Sequence, residues 1–168
     1  MQTFLVAPRN LDPKRLANQV NECQSIWVAL TEGRGYINHP ATLMWDGYLI
    51  ALAQYAVAMC EEHTRRTGQT HAHEQNFRQR RAQGRLERPW WWGHPGLLES
   101  HRSNLIRKRA EWYLPRYPDT ALGLPYLWPH TPTHTVRLSG SEYRRGGYFL
   151  PHSWGLNERT LEVVCDLW

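Results

Sequence analysis

The sequence predicts an all-α protein: a compact bundle of about three main helices with an irregular, Pro- and aromatic-rich C-terminal extension. Three observations lead there. Leu16, Val20, Cys23, Trp27 and Leu30 recur at steps of four and three, which lays one apolar stripe along a helix. Leu43, Gly47, Ala51, Gln54 and Ala58 repeat the same spacing in a second segment. A third periodic stretch covers Leu97 to Trp112, and beyond Pro115 the chain turns Pro-rich.

Each element has a local reason. Residues 1–10 (MQTFLVAPRN) are apolar and short, and Pro8 prevents a long element. Asp12 followed by Pro13 starts the first helix, a carboxylate to cap free N–H groups and a ring with φ preset; Gly33 ends it. Asn38-His39-Pro40 opens the second helix, expected to run unbroken to about Arg66 with Gly68 as its stop. Gly47 inside it would cost about 1 kcal/mol against Ala, so a close helix crossing is expected there.

Gln69–Arg88 carries Arg78, Arg80, Arg81, Arg85 and Arg88 among few apolar residues, either a solvated helix or a mobile arm. Pro89-Trp90-Trp91-Trp92-Gly93-His94-Pro95 reads as a rigid aromatic loop. Near the C-terminus only short strand-like pieces at Thr135–Leu138 and Tyr148–Leu150 and a tail helix near Glu158–Leu167 are expected. The expected organisation is a helical domain over 1–128 and an extension over 129–168 packed on it.

Composition narrows the function. Twenty Lys and Arg against fifteen Asp and Glu give a formal charge of +5, which favours an anionic partner such as nucleic acid. Cys23, Cys60 and Cys165 form no CxxC pair, so Cys23 and Cys60 read as small core residues in a reducing compartment. The longest apolar run, near 49–60, is broken by Gln54. A soluble, cytoplasmic monomer with no membrane contact is the expectation.

Glu22 stands next to Cys23 of the apolar stripe, close to the seam, where partial loss of hydration suits a carboxylate to proton transfer; the plain alternative is a solvated surface Glu. Arg15, Asn18, Gln19 and Asn21 cluster on the same helix, and Glu22 shares faces with Asn18 and Gln19. A second cluster, His101, Arg102, Ser103, Asn104, Arg107 and Lys108, supplies cations for phosphates and neutral donors that fix register, unless it is simply a solvated basic face. His39 before Pro40 is equally a cap or a DNA contact. Trp90, Trp91, Trp92 and Tyr126 could stack on unpaired bases or pack a core. His71, His73 and Glu74 lack zinc-like spacing, and no phosphate loop or nucleophilic triad is visible, so neither metal nor cofactor is expected.

The run Leu11–Glu22, the segment Arg34-Gly35-Tyr36-Ile37-Asn38-His39-Pro40-Ala41-Thr42-Leu43-Met44-Trp45-Asp46-Gly47-Tyr48 and the segment Ser100–Lys108 together resemble the pyrimidine dimer DNA glycosylase family. The likeness is closest to a bacterial and phage branch and extends over roughly residues 1–128. It implies an all-α DNA glycosylase with AP-lyase activity, acting on double-stranded DNA with a damaged or modified base. In that chemistry the N-terminal amine, here Met1, attacks the sugar and forms a Schiff base, and Glu22 assists. An α-amine has a pKa of about 7.7–8.0, so much of it is neutral without tuning. Gln2 is large and should leave Met1 in place. The family's best-known enzymes carry arginines where this chain has Asn21 and Ser25, so the resemblance transfers the amine–carboxylate chemistry more readily than the identity of the base. The alternative is a DNA-binding protein of the same fold without catalysis.

Overall fold

A computed structural model describes residues 6–129 and the backbone of 146–149. Its chain packs as two units, one ending at Pro89 and the next starting at Trp90. The break therefore falls inside the stretch read above as one domain. Helices dominate, as the periodicity requires. Met1, the pieces Thr135–Leu138 and the tail near 158–167 lie outside the described residues, as does Cys165.

The first unit contains α1 (Pro13–Glu32), α2 (Pro40–Leu43), α3 (Leu49–Thr67) and α4 (Glu74–Arg81), preceded by a 3₁₀ turn at Pro8–Asn10. At the head of α1 the Asp12 carboxylate accepts from the Arg15 backbone N–H (3.2 Å) and from its guanidinium (2.7 Å). Besides its seam with α4, α3 shares a seam with α1. Leu16, Val20, Cys23, Ile26 and Ala29 supply the α1 side of it, and Leu52, Tyr55, Ala56, Met59 and Cys60 are buried on α3. This seam leaves the predicted stripe after Cys23, passing through Ile26 rather than Trp27. Trp27 instead meets the edge of Phe77 from α4 (6.5 Å between ring centroids), with the Arg80 guanidinium 4.4 Å from its ring centre. Arg80 also donates to Gln24 and Arg81 to Gln54. Within the polar segment Glu74–Arg81 is helical and the flanks are not; Arg80 and Arg81 help fasten that helix to α1 and α3.

The second helix is not continuous. Gly47 has φ +79°, a left-handed conformation that Cβ-bearing residues rarely adopt, and it sits in the turn between α2 and α3. A Cβ placed there would meet nothing within 4 Å, so the expected close crossing is absent at Gly47. The chain leading into α1 is tied to α3 by one side chain. The Arg66 guanidinium donates to the carbonyls of Leu11 (2.7 Å), Arg9 (2.8 Å) and Pro8 (3.2 Å). Glu62 receives both Arg65 and Arg66, and those hydrogen bonds hold its carboxyl down to about 2.

The second unit contains α5 (Pro95–Lys108), α6 (Ala110–Tyr113), a 3₁₀ turn at Leu114–Arg116, and strands β1 (Tyr126–Pro129) and β2 (Gly146–Phe149). The predicted third helix stops at Arg109, whose extended backbone separates α5 from α6. β1 and β2 pair in parallel, Tyr126 opposite Gly146 and Pro129 opposite Phe149. β2 overlaps the predicted strand-like piece, while β1 lies in the stretch read as irregular. Trp91, Trp92, Leu97, Leu105, Tyr113 and Trp128 are buried, so Trp91 and Trp92 form core rather than a base-stacking loop.

Candidate active site on the first helix

Asn18, Asn21, Glu22 and Ser25 follow at three- and four-residue steps and share the face of α1 that points away from the α3 seam. Asn18, Asn21 and Ser25 are exposed. Glu22 is half-buried, because Ile26, one turn further on, is drawn into the core. Opposite it, His39 and Thr42 come from the first turn of α2, and Tyr36 comes from the loop before it. With Ser25 and Ile26 these residues enclose a cleft of about 230 Å³.

The walls of the cleft are held in place. Asn38-His39-Pro40 forms the predicted helix entry, with His39 Nδ1 accepting from the Ala41 N–H at 3.1 Å. The His39 cap and its place in the cleft thus occur together. The His39 ring meets Tyr36 edge-on, centroids 6.3 Å apart. Thr42 is buried, and the Ser25 hydroxyl donates to the Asn21 carbonyl. The carboxylate of Glu22 makes no hydrogen bond or ion pair with any described residue. A partly desolvated carboxylate without a partner, at the wall of an open cleft, is positioned to accept or donate a proton to a bound group.

Other predicted contacts are placed differently. Gln19 is fully buried on the seam side of α1, out of reach of a duplex, because position 19 precedes Cys23 by one turn. Arg15 is half-buried with its guanidinium on Asp12. His101, Ser103 and Asn104 are buried in the second unit and serve the chain around β1. Asn104 donates to the Leu124 carbonyl (3.0 Å), Ser103 accepts from the Leu124 N–H (3.0 Å) and His101 Nε2 donates to the Leu127 carbonyl (3.2 Å). Those three are structural donors and acceptors, which corrects the reading of a DNA-facing row. Burial, helped by the Lys108 charge, pushes the His101 imidazolium down to about 4, so the ring is neutral near pH 7. Arg102 and Lys108 are half-buried, stacked over Tyr117 and Tyr126, and Arg107 is exposed with one bond to Asn104.

Sequence reasoning gave Tyr36 no role, although it lines the cleft and is 75 % exposed. The usable signal was an aromatic side chain in a loop, three residues before His39 of the His-Pro helix entry, with no apolar repeat to absorb it. Among the described residues no group of His, Cys, Asp and Glu could hold a metal, and no helix is long and apolar enough to cross a membrane.

Fold and cleft together define a class: a mostly helical protein whose first helix presents one unpartnered carboxylate to a small open cleft. Residues 1–76 match the family model for pyrimidine dimer DNA glycosylase, and the chain is similar to that family over this stretch. The matched range holds α1, α2, α3 and every residue of the cleft, and it ends before α5. The similarity supports a DNA-repair glycosylase. No curated protein and no solved structure matches the chain.

Proposed function

We propose that the protein is a DNA glycosylase with an associated lyase step, acting on double-stranded DNA that carries a damaged or modified base. The observation that carries this reading is the half-buried, unpartnered Glu22 carboxylate in a cleft that lies wholly within the family-matched stretch. In the proposed reaction the neutral N-terminal amine, Met1, attacks C1′ of the nucleotide. The bond from C1′ to the base breaks, and the base leaves with the bonding pair and takes up the proton that the attacking nitrogen gives up. Glu22, protonated, delivers its proton to the sugar ring oxygen as the ring opens and the amine nitrogen forms an iminium with C1′. The carboxylate then removes a proton from C2′, and β-elimination expels the 3′ phosphate. No metal or cofactor is required for these steps.

Asn18 and Asn21 on the exposed row and His39 beside it are proposed to contact the duplex near the site. Arg102, Arg107 and Lys108 are proposed to neutralise phosphates, each lowering the salt slope of binding by about one when removed.

Borohydride trapping on a duplex with an abasic site tests the reading. Wild type should give a covalent adduct whose mass fixes the modified residue as Met1. Intact-mass measurement of the free protein checks that this amine is unblocked. Failure to trap under conditions where the protein binds that duplex would remove the amine chemistry and leave a DNA-binding protein.

A further inference from the structure

The sequence analysis sought a base-stacking surface in Trp90–Trp92, and two of those rings are core. The described residues leave four large apolar side chains exposed, Tyr36 (75 %), Ile37 (42 %), Leu114 and Leu122. Two of the four are consecutive, and one of them lines the Glu22 cleft. Burying an aromatic ring is among the larger gains available to a folding chain, yet this ring stays in water beside the one unpartnered carboxylate of the cleft.

The backbone that carries it lies in a tight turn. Gly35, at φ +81°, turns the chain just before Tyr36. The Ile37 N–H donates to the Gly35 carbonyl (3.0 Å), and the His39 N–H to the Tyr36 carbonyl (3.1 Å). The His39 imidazole meets the Tyr36 ring at 81°, and His39 is itself tied to α2 through the Ala41 N–H. The ring makes one edge contact with the histidine that caps α2 and keeps most of its surface available.

We propose that Tyr36 is the stacking platform for a nucleobase taken out of the duplex, with Ile37 beside it entering the space the base has left. The proposal rests on the glycosylase reading and names the residue by which that site holds an unpaired base. Base extrusion forfeits stacking, and an aromatic face returns part of it regardless of base identity. The cleft, at about 230 Å³, is smaller than the roughly 300–1,000 Å³ of drug-sized sites, so it suits one ring rather than a larger ligand. Ser25 and Thr42 are polar residues of the same lining. Glu22 borders that space, which would set the sugar of the extruded nucleotide near the carboxylate.

The test compares wild type, Tyr36→Ala and Tyr36→Phe, all full length, on two duplexes at one salt concentration. One duplex is fully paired; the other carries a tetrahydrofuran site, which leaves the opposite base unpaired and cannot form an imine. Wild type should prefer the second duplex. Tyr36→Ala should lose about 5- to 150-fold on it, the range for removing one aromatic stacking partner, and change little on the paired duplex. Tyr36→Phe should keep the preference. An equal loss on both duplexes, or no loss on either with the fold intact by circular dichroism, overturns the platform. If that happens while wild type still gives the borohydride adduct, the glycosylase reading stands without it; a wild type that neither prefers the unpaired duplex nor traps defeats both.

Discussion

The polar rows of α1 and α5 are written in similar residues and have opposite fates. On α1, Asn18, Asn21 and Ser25 are exposed and border the half-buried Glu22. On α5, Ser100, His101, Ser103 and Asn104 are buried and bonded to the chain between Leu124 and Leu127. The difference lies in what each helix packs against. α1 is buried on α3, another helix that satisfies its own backbone, so polar residues of α1 have no work at the seam. α5 packs against a short strand whose carbonyls and N–H groups need partners. Ser100 alone serves two of them, donating to the Pro125 carbonyl (2.6 Å) and accepting from the Leu127 N–H (2.7 Å). A polar helix row therefore reports a surface only when the neighbour is self-sufficient.

The largest expected effect separates the rows by chemistry. Glu22→Gln should lower the rate of strand cleavage by roughly 10²–10⁴-fold, the usual contribution of a positioned acid–base group, with little change in DNA affinity or thermal stability. Single-turnover cleavage and a binding isotherm on the same duplex measure it. A matching fall in affinity would make Glu22 a binding residue and α1 a contact surface only.

The α5 row should answer to pH instead. His101 keeps its ring neutral in the fold down to about 4, against an ordinary value of 6.5, because it is buried. Between those values the unfolded chain binds the extra proton, so stability rises with pH across that window and is lost as pH falls through it. From pH 7 to 4 the loss attributable to this group is about 3 kcal/mol. Urea unfolding at several pH values should show it, and His101→Gln should flatten the slope. Asn104→Ala comes next, removing donors to the Ser100 and Leu124 carbonyls and costing about 2 kcal/mol. Asn18→Ala, on the exposed row, should stay within about 0.5 kcal/mol. If Asn18→Ala cost as much as Asn104→Ala, the contrast between the helices would collapse.

These contrasts show where the sequence was readable. Asp12-Pro13 marked the start of α1 because capping is settled within three residues, and the cap bond to the Arg15 N–H is present. Glu22 reads as lying close to the seam because its neighbour Cys23 belongs to an apolar repeat; its partial burial agrees with that reading, but its face of α1 turns from α3 to the cleft. Gly47 could not be assigned, since the spacing of apolar residues continues on both sides of a turn made by one left-handed residue. The inward face of α5 was hidden for a different reason: its partners lie some twenty to twenty-seven residues on, and no periodicity within the helix encodes them. Tyr36 fell between these cases, in a loop where periodicity carries no information.

Gln19 is the residue of α1 that resembles the α5 row, buried and polar, and it lacks what that row has. Neither its amide oxygen nor its nitrogen meets a hydrogen-bond partner, whereas Ser103 and Asn104 are bonded. An unmet buried amide costs about 1–3 kcal/mol, and an apolar side chain of similar shape removes that penalty without opening a cavity. Gln19→Leu should therefore stabilise the protein by about 1 kcal/mol, raising Tm by about 2–4 °C. Its trapping yield on abasic DNA should not move, because the side chain is sealed from the duplex. A gain in Tm accompanied by lost trapping would show that Gln19, one turn before Glu22, positions that carboxylate at the expense of stability. A fall in Tm would mean that the buried amide contributes favourably where it lies, and that α1, like α5, depends on polar groups at its inner face.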